Sequence, residues 1–232
     1  ANTLLLNGKL ILYISKGIVC KSRLDPKSDI FLLNQDVTSM PISSLFSHLE
    51  SFIPLTTEEK EMIEKKFVLI QVKRRNKLLK AGEICKDYFF VVSGIFRMFG
   101  VDDKGFEHTI QFAAESDWIA DIGSFYSQKA SKLNIEALEV AEVLRISQQD
   151  LFELFTTIPK LNRIFKVMIE HKYIELQDRV LQNFSSTAEL RYLAFLEQYP
   201  HLKNRLPNTQ IASYLGITPE FLSKIRKDIR DN

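Results

Sequence analysis

The sequence predicts an α+β chain: a small antiparallel β domain, then one long helix, then a compact helical tail. Three observations carry this. Between Val68 and about Ile146 short β-type runs alternate with turns, and Gly82, Gly94 and Gly105 fall at those turns, where a positive φ costs glycine little. From Pro159 to Phe184 the residues Phe165, Ile169, Tyr173, Leu176 and Val180 recur every three or four positions, the period of one apolar helical stripe. Near the end, "IASYLGITPEFLSKIRKDI" reads as two short helices meeting at Gly216.

The elements follow in order. "KLILYISKGIVC" is expected to form two short strands around Ser15-Lys16-Gly17, and the polar "SRLDPKSD" follows. Residues 1–39 are read as an extension without an assigned task, the alternative being a hairpin packed on the β domain. Helical patterns begin at "SSLFSHLESF" and "TTEEKEMIEKKF", the second with Thr56 or Thr57 as N-cap ahead of Glu58 and Glu59. The β runs are "VLIQVK", "KLLKAGE", "YFFVVSGIFRMFGV", "EHTIQFA" and "IEALEVAEVLRI"; so many short strands in one stretch indicate a sandwich or barrel. "SQQDLFELFTTIP" returns to helical spacing, Pro159 opens the long helix, and Ser185–Thr187 with Glu189 caps "AELRYLAFLEQY".

Composition excludes several classes. The 232 residues carry a net charge of +2, too little for a protein that coats nucleic acid, yet compatible with a local basic patch. Cys20 and Cys85 lie far apart and the four histidines are scattered, so no iron–sulfur cluster or zinc site is expected, and reduced cytoplasmic thiols are the simplest reading. "LLLNGKLILYISKGIV" is broken by Gly8, Lys9 and Lys16 well short of the ~20 apolar residues a membrane helix needs. There is no nucleophile–base pair, P-loop or glycine-rich dinucleotide signature, so no catalytic or metal residues are assigned and no cofactor is expected.

The C-terminal pair has the parts of a helix-turn-helix. Ile211, Ala212 and Leu215 line the first helix, Gly216 ends it, and Ile217 plugs the turn. Thr218 is an N-cap, Pro219 suits the first helical position, and Glu220 suits the N-terminal turn. With Phe221, Leu222 and Ile225 inward, Glu220, Ser223, Lys224 and Lys227 face out. Glutamate accepts from a cytosine amine and lysine donates to guanine. Thr209, Gln210, Thr218, Arg226 and Arg230 suit phosphates.

"RYLAFLEQYP", "IASYLGITPEFLSKIRK", the long amphipathic helix and the glycine-punctuated β domain with "AGE" and "VVSGIFRMF" together resemble the Crp/Fnr family of bacterial transcription regulators. The resemblance runs from Ile42 to the C-terminus. It implies a cyclic-nucleotide-binding-like β-roll (jelly roll) over 40–158, a dimerisation helix over 159–184 and a winged-helix-like DNA-binding domain over 185–232. The partners it implies are a second copy of the chain, double-stranded DNA with a near-palindromic operator, and RNA polymerase. In the recognition helix Glu220 matches the family pattern, Lys224 stands for its second arginine and Pro219 takes the place of the first, so a different operator is expected. The wing strands are expected to be short or absent. Where the family has its phosphate-binding cassette, this chain has Ala120-Asp121-Ile122 and, downstream, Ser131-Lys132. Lys129 or Lys132 would have to replace a forked guanidinium. These residues therefore mark a candidate small-molecule pocket for which cyclic AMP is not the expected ligand. The rival reading is a β-roll ligand-binding or protein-interaction module whose terminal helices are merely structural.

Overall fold

The computed structural model describes residues 2–6, 9–13, 18–19 and 39–231. The chain divides into two units, 1–34 and 35–232. In the first, β1 (Asn2–Leu6), β2 (Lys9–Tyr13) and β3 (Ile18–Val19) form an antiparallel three-stranded sheet in that order. Tyr13 pairs with Ile18, the hairpin expected from the sequence. The β1–β2 pair, with Leu6 opposite Lys9, was not foreseen, although an Asn-Gly pair separates the two runs. The polar stretch 22–29 and Cys20 lie outside the described residues.

The second unit begins with α1 (Ser39–Glu50) and α2 (Thr57–Glu64). Thr56 caps α2 through a complete capping box: its hydroxyl accepts from the Glu59 N–H, and the Glu59 carboxylate accepts from the Thr56 N–H. Eight strands follow: β4 (Val68–Val72), β5 (Lys77–Leu79), β6 (Asp87–Ser93), β7 (Phe96–Val101), β8 (Glu107–Ala113), β9 (Trp118–Ile119), β10 (Leu133–Ala137) and β11 (Ala141–Ser147). They form two four-stranded antiparallel sheets, β5-β10-β7-β8 and β4-β11-β6-β9, a jelly roll. Two short elements escaped the sequence reading, β9 and the helix α3 (Ile122–Ser127) after it.

The sheets close on a core of Phe90, Phe96, Ile135, Val143 and Ile146, all fully buried; each such side chain contributes about 1.5–3 kcal/mol. Tyr88 to Val91 are buried without alternation. The other face of β6 is covered by α1, whose Leu45 and Leu49 join the same core. Gly94, at φ +93°, makes the β6–β7 turn; a Cβ there would lie 2.5 Å from that of Ala141, so only glycine fits.

α4 (Gln148–Thr157) leads into α5 (Pro159–Ser185), the 27-residue long helix, with proline in its first turn. α6 (Ala188–Gln198), capped by Thr187, then α7 (Asn208–Leu215) and α8 (Pro219–Asp231) complete the chain. Their apolar faces do not form a separate core. Tyr192, Phe195, Leu202, Ile211, Leu215, Leu222 and Ile225 bury against Ile95, Phe112 and Ala114 of the β domain. The helical tail is packed onto the jelly roll, a contact that no periodicity in the sequence announces.

Candidate nucleic-acid interface and effector cavity

α7 ends on Gly216, in the left-handed region at φ +66° with its N–H donating to the Ala212 carbonyl. The Ile217 N–H reaches the same carbonyl at 3.1 Å, which satisfies the helix end and reverses the chain. The Thr218 hydroxyl accepts from the Phe221 N–H at 3.2 Å, an N-cap for α8. Leu222 and Ile225 are buried, while Glu220, Ser223, Lys224 and Lys227 are exposed. Thr209 and Thr218 are exposed as well, and Pro219 is half-buried.

Three of the sequence-derived assignments in this pair need correction. Phe221 is 47% exposed; the inward stripe is Leu222, Ile225 and the half-buried Ile229, at helical intervals of three and four that leave residue 221 about 100° to the side. Arg226 is folded back. Its Nε donates to the Tyr192 hydroxyl at 2.8 Å, and its Nη atoms donate to Asn208 Oδ1 and the Lys203 carbonyl, so it ties α8 to the helices beneath. Gln210 accepts from Arg97 Nη1 at 3.0 Å and is held on the β domain.

A set of polar bonds missed by sequence reasoning holds the pair against the jelly roll. The Ser213 hydroxyl accepts from the Thr109 N–H at 3.0 Å and donates to the Glu107 carbonyl at 2.7 Å. Arg179 of α5 donates to the carbonyls of Ile110, Thr109 and Tyr214, the last two at 2.9 Å, with its guanidinium 3.9 Å over the Tyr214 ring. Arg97, 6% exposed, stacks on Phe99 and binds Glu136 and Glu107. Arg205 makes two 2.8 Å bonds to Glu115 and a third to Glu139. That guanidinium holds the Glu115 carboxyl down to about 2. Burial pushes Asp117 up and His48 down.

Between sheet β5-β10-β7-β8, α3, α5 and the tail lies a cavity of 360 Å³, within the size range of small-ligand sites. Met98, Ile110, Ile122 and Ile169 supply apolar wall, and Tyr199 and Tyr214 close it from the tail. Of the expected pocket residues, Ala120, Asp121 and Ile122 line it; Ser131 and Lys132 do not. Asp121 caps α3, and its other oxygen accepts from the buried Ser131 hydroxyl at 2.6 Å. Ser131 is fixed further by the Gly82 and Glu83 backbone, which draws it off the cavity, and Lys132 is exposed. Lys129 is exposed too.

On α5, Phe165 is 3% exposed and packs 5.0 Å from Trp118 and 5.2 Å from Phe155 by ring centroids. It belongs to the β-domain core, not to an outward seam. Ile169 is half-buried on the cavity wall. Tyr173, Leu176 and Val180 are exposed, joined by Ile174, Leu181 and Phe184. His108 is exposed beside Asp102, His171 is exposed, and no metal-binding cluster occurs among the described residues. Nor, among them, is any helix long and apolar enough to cross a membrane.

Comparison with known proteins agrees with this architecture. Residues 69–157 match the cyclic nucleotide-binding domain family. Electron transport regulator A of Shewanella oneidensis is 26% identical over 168 residues, which cover 66% of this chain and 65%, just under two thirds, of that protein's length. The fumarate and nitrate reduction regulatory protein of Salmonella typhi is 25% identical over 189 residues, 75% of this chain and 74% of the relative. A crystal structure described as a transcriptional regulator of the Crp/Fnr family from Eubacterium rectale superposes with a TM-score of 0.61 at 17% identity, over 79% of this chain and 88% of that one. The chain is similar to regulators of the Crp/Fnr family in its fold and carries a cyclic nucleotide-binding domain match over part of its length. The jelly roll contains the stretch matched to the cyclic nucleotide-binding domain, and α5 is the long helix that follows it.

Proposed function

We propose that the chain is a homodimeric DNA-binding transcription regulator that reads duplex DNA with α8. The observation that carries this is the division of α8 into a buried stripe, Leu222 and Ile225, and an exposed face of Glu220, Ser223, Lys224 and Lys227. Core packing accounts for the first and asks nothing of the second; a groove of DNA takes a helix that presents such a face. Thr209 and Thr218 remain as phosphate contacts.

Pairing is proposed along Tyr173, Leu176 and Val180, extended by Leu181 and Phe184, an exposed apolar strip on one helix of the kind a second copy covers. Two copies place the recognition helices about 34 Å apart, hence a near-palindromic operator. The functional division into a sensor over 40–158, a pairing helix over 159–184 and a DNA-binding part over 185–232 belongs to the same proposal.

The cavity is proposed to hold a small effector other than cyclic AMP. The Asp121 carboxylate sits against Ser131, where a cyclic phosphate would meet a negative charge, and the two cations that line the cavity are engaged, Arg179 with the Ile110, Thr109 and Tyr214 carbonyls and Lys172 with Glu175. Burying a phosphate there without a paired cation is costly. An occupant would touch Tyr199 and Tyr214 of the tail as well as the sheet, so it would shift the arrangement of the tail by its differential affinity for the two states.

The test is selection of genomic fragments by the purified full chain, followed by gel shift of the enriched fragment. Enrichment of a near-palindrome supports the reading; recovery of no fragment above background overturns it.

A further inference from the structure

A second cavity, of 170 Å³, lies between α1, strands β6 and β9, and α5. Gln111, Ile122 and Ile169 line both cavities, but neither Asp121 nor any residue of the helical tail lines this one. Aromatic rings make much of its wall. His48 comes from α1 and Phe52 from just beyond it, Tyr88 from β6 and Trp118 from β9. The rings pack on one another: His48 lies 5.5 Å from Phe52 and 6.4 Å from Trp118, and Tyr88 lies 5.6 Å from Trp118, by ring centroids. Met168 of α5 adds an apolar side chain.

The charges on this wall do not balance. Asp117, Lys172 and Glu175 line the cavity. The Lys172 ammonium and the Glu175 carboxylate are paired at 2.9 Å, which leaves Asp117 over. Among the described residues Asp117 forms no ion pair, and its carboxylate accepts one hydrogen bond, at Oδ2 from the Ala114 N–H at 3.0 Å. Oδ1 has no such partner and is not sealed from solvent. Burial pushes the Asp117 carboxyl up, the response of an acid whose charge is poorly compensated. His48 supplies no countercharge, because burial pushes its pKa down and keeps the ring neutral at pH 7.

A carboxylate beside aromatic rings and apolar side chains suits one class of ligand. A metal ion needs several oxygen, nitrogen or sulfur ligands, and no such group of side chains occurs among the described residues. An anion would be repelled by Asp117. An organic ammonium ion gains twice: its charge pairs with the carboxylate, and its alkyl groups lie against rings whose faces attract cations. We propose that this cavity is a binding site for a small alkylated ammonium ion, held by the Asp117 carboxylate and the rings of His48, Phe52, Tyr88 and Trp118. An occupant touches α1, the sheet and α5 at once. The site stands independently of the DNA-binding reading and of the effector assigned to the larger cavity.

Trp118 is the sole tryptophan of the chain, so its fluorescence reports on the site directly. The full chain is titrated with choline chloride, with the uncharged carbon isostere of choline, and with sodium chloride at matched ionic strength. Choline should change the emission saturably, with an affinity at least about tenfold above that of the isostere, and sodium chloride should leave it unchanged. Asp117→Asn, which keeps an acceptor for the Ala114 N–H, should bring choline down to the affinity of the isostere. His171→Lys adds a cation at an exposed lining position; it should weaken choline about threefold or more and leave the isostere unchanged. Urea midpoints establish that each variant is folded, and His171→Lys decides alone if Asp117→Asn is not. Equal affinities for choline and its isostere overturn the proposal, as does a response that sodium chloride reproduces. So does the absence of a saturable response, or a choline affinity unaltered in the folded variants.

Discussion

Arg226 and Lys224 lie two residues apart on α8 and have opposite fates. Lys224 is exposed; Arg226 spends its donors on Tyr192, Asn208 and Lys203. Replacing Arg226 by alanine strips these acceptors of a charged donor, so unfolding stability should fall by roughly 1–3 kcal/mol, while the salt slope of DNA binding stays that of the wild type. Urea unfolding and binding titrations check the two halves separately. A second residue-scale expectation concerns Glu115. Its folded pKa, about 2, lies below the ordinary 4.5, so the stability it contributes is complete above about pH 4.5 and disappears as pH falls through about 2. The gap in urea midpoint between wild type and Glu115→Gln should therefore be constant near neutrality and close progressively below pH 4.5. A gap that widens on acidification would contradict the Arg205 pairing.

At the scale of elements, the helices and most strands were legible because period and caps are local. Thr56, Ser147 and Thr187 each cap the helix they precede. The failures share a physical cause. α3 has only six residues and β9 two, too few for a period to repeat. The apolar stripe of α5 is continuous in sequence, yet periodicity identifies a face and not what covers it: Phe165 lies under the chain's own β domain and Val180 lies open. Nor does a charge pattern separate a solvated arginine from one turned inward, which is why Arg179 escaped notice and Arg226 was assigned to phosphates. In the pocket region, matching by position identified Asp121 but not the Ser131 bond that closes over it. The docking of α7 on β8 makes its own prediction. Ser213→Ala removes the hydroxyl bonded to Thr109 and Glu107, worth about 1 kcal/mol, so hydrogen exchange over 208–215 should accelerate roughly five- to tenfold. Unchanged protection would mean that the α7–β8 contact is not held by this bond.

For the molecule as a whole, a net charge of +2 makes distribution more important than total. Affinity for DNA has to come from where cations are displayed and from doubling them by symmetry. In the proposed dimer, doubling depends on the open part of the α5 stripe. Leu176→Glu, at a position 46% exposed in the single chain, should leave the fold intact yet give a monomer in sedimentation analysis, and should weaken operator binding well beyond any effect of its charge. A dimer that survives this change would move the interface elsewhere. The direct test of the central claim is the slope of log affinity against log salt for the enriched fragment, compared between the wild type and Lys224→Ala/Lys227→Ala. A groove-facing α8 predicts a slope shallower by about 2 per chain with unfolding stability unchanged; an identical slope in a folded double variant would show that this face does not meet the duplex.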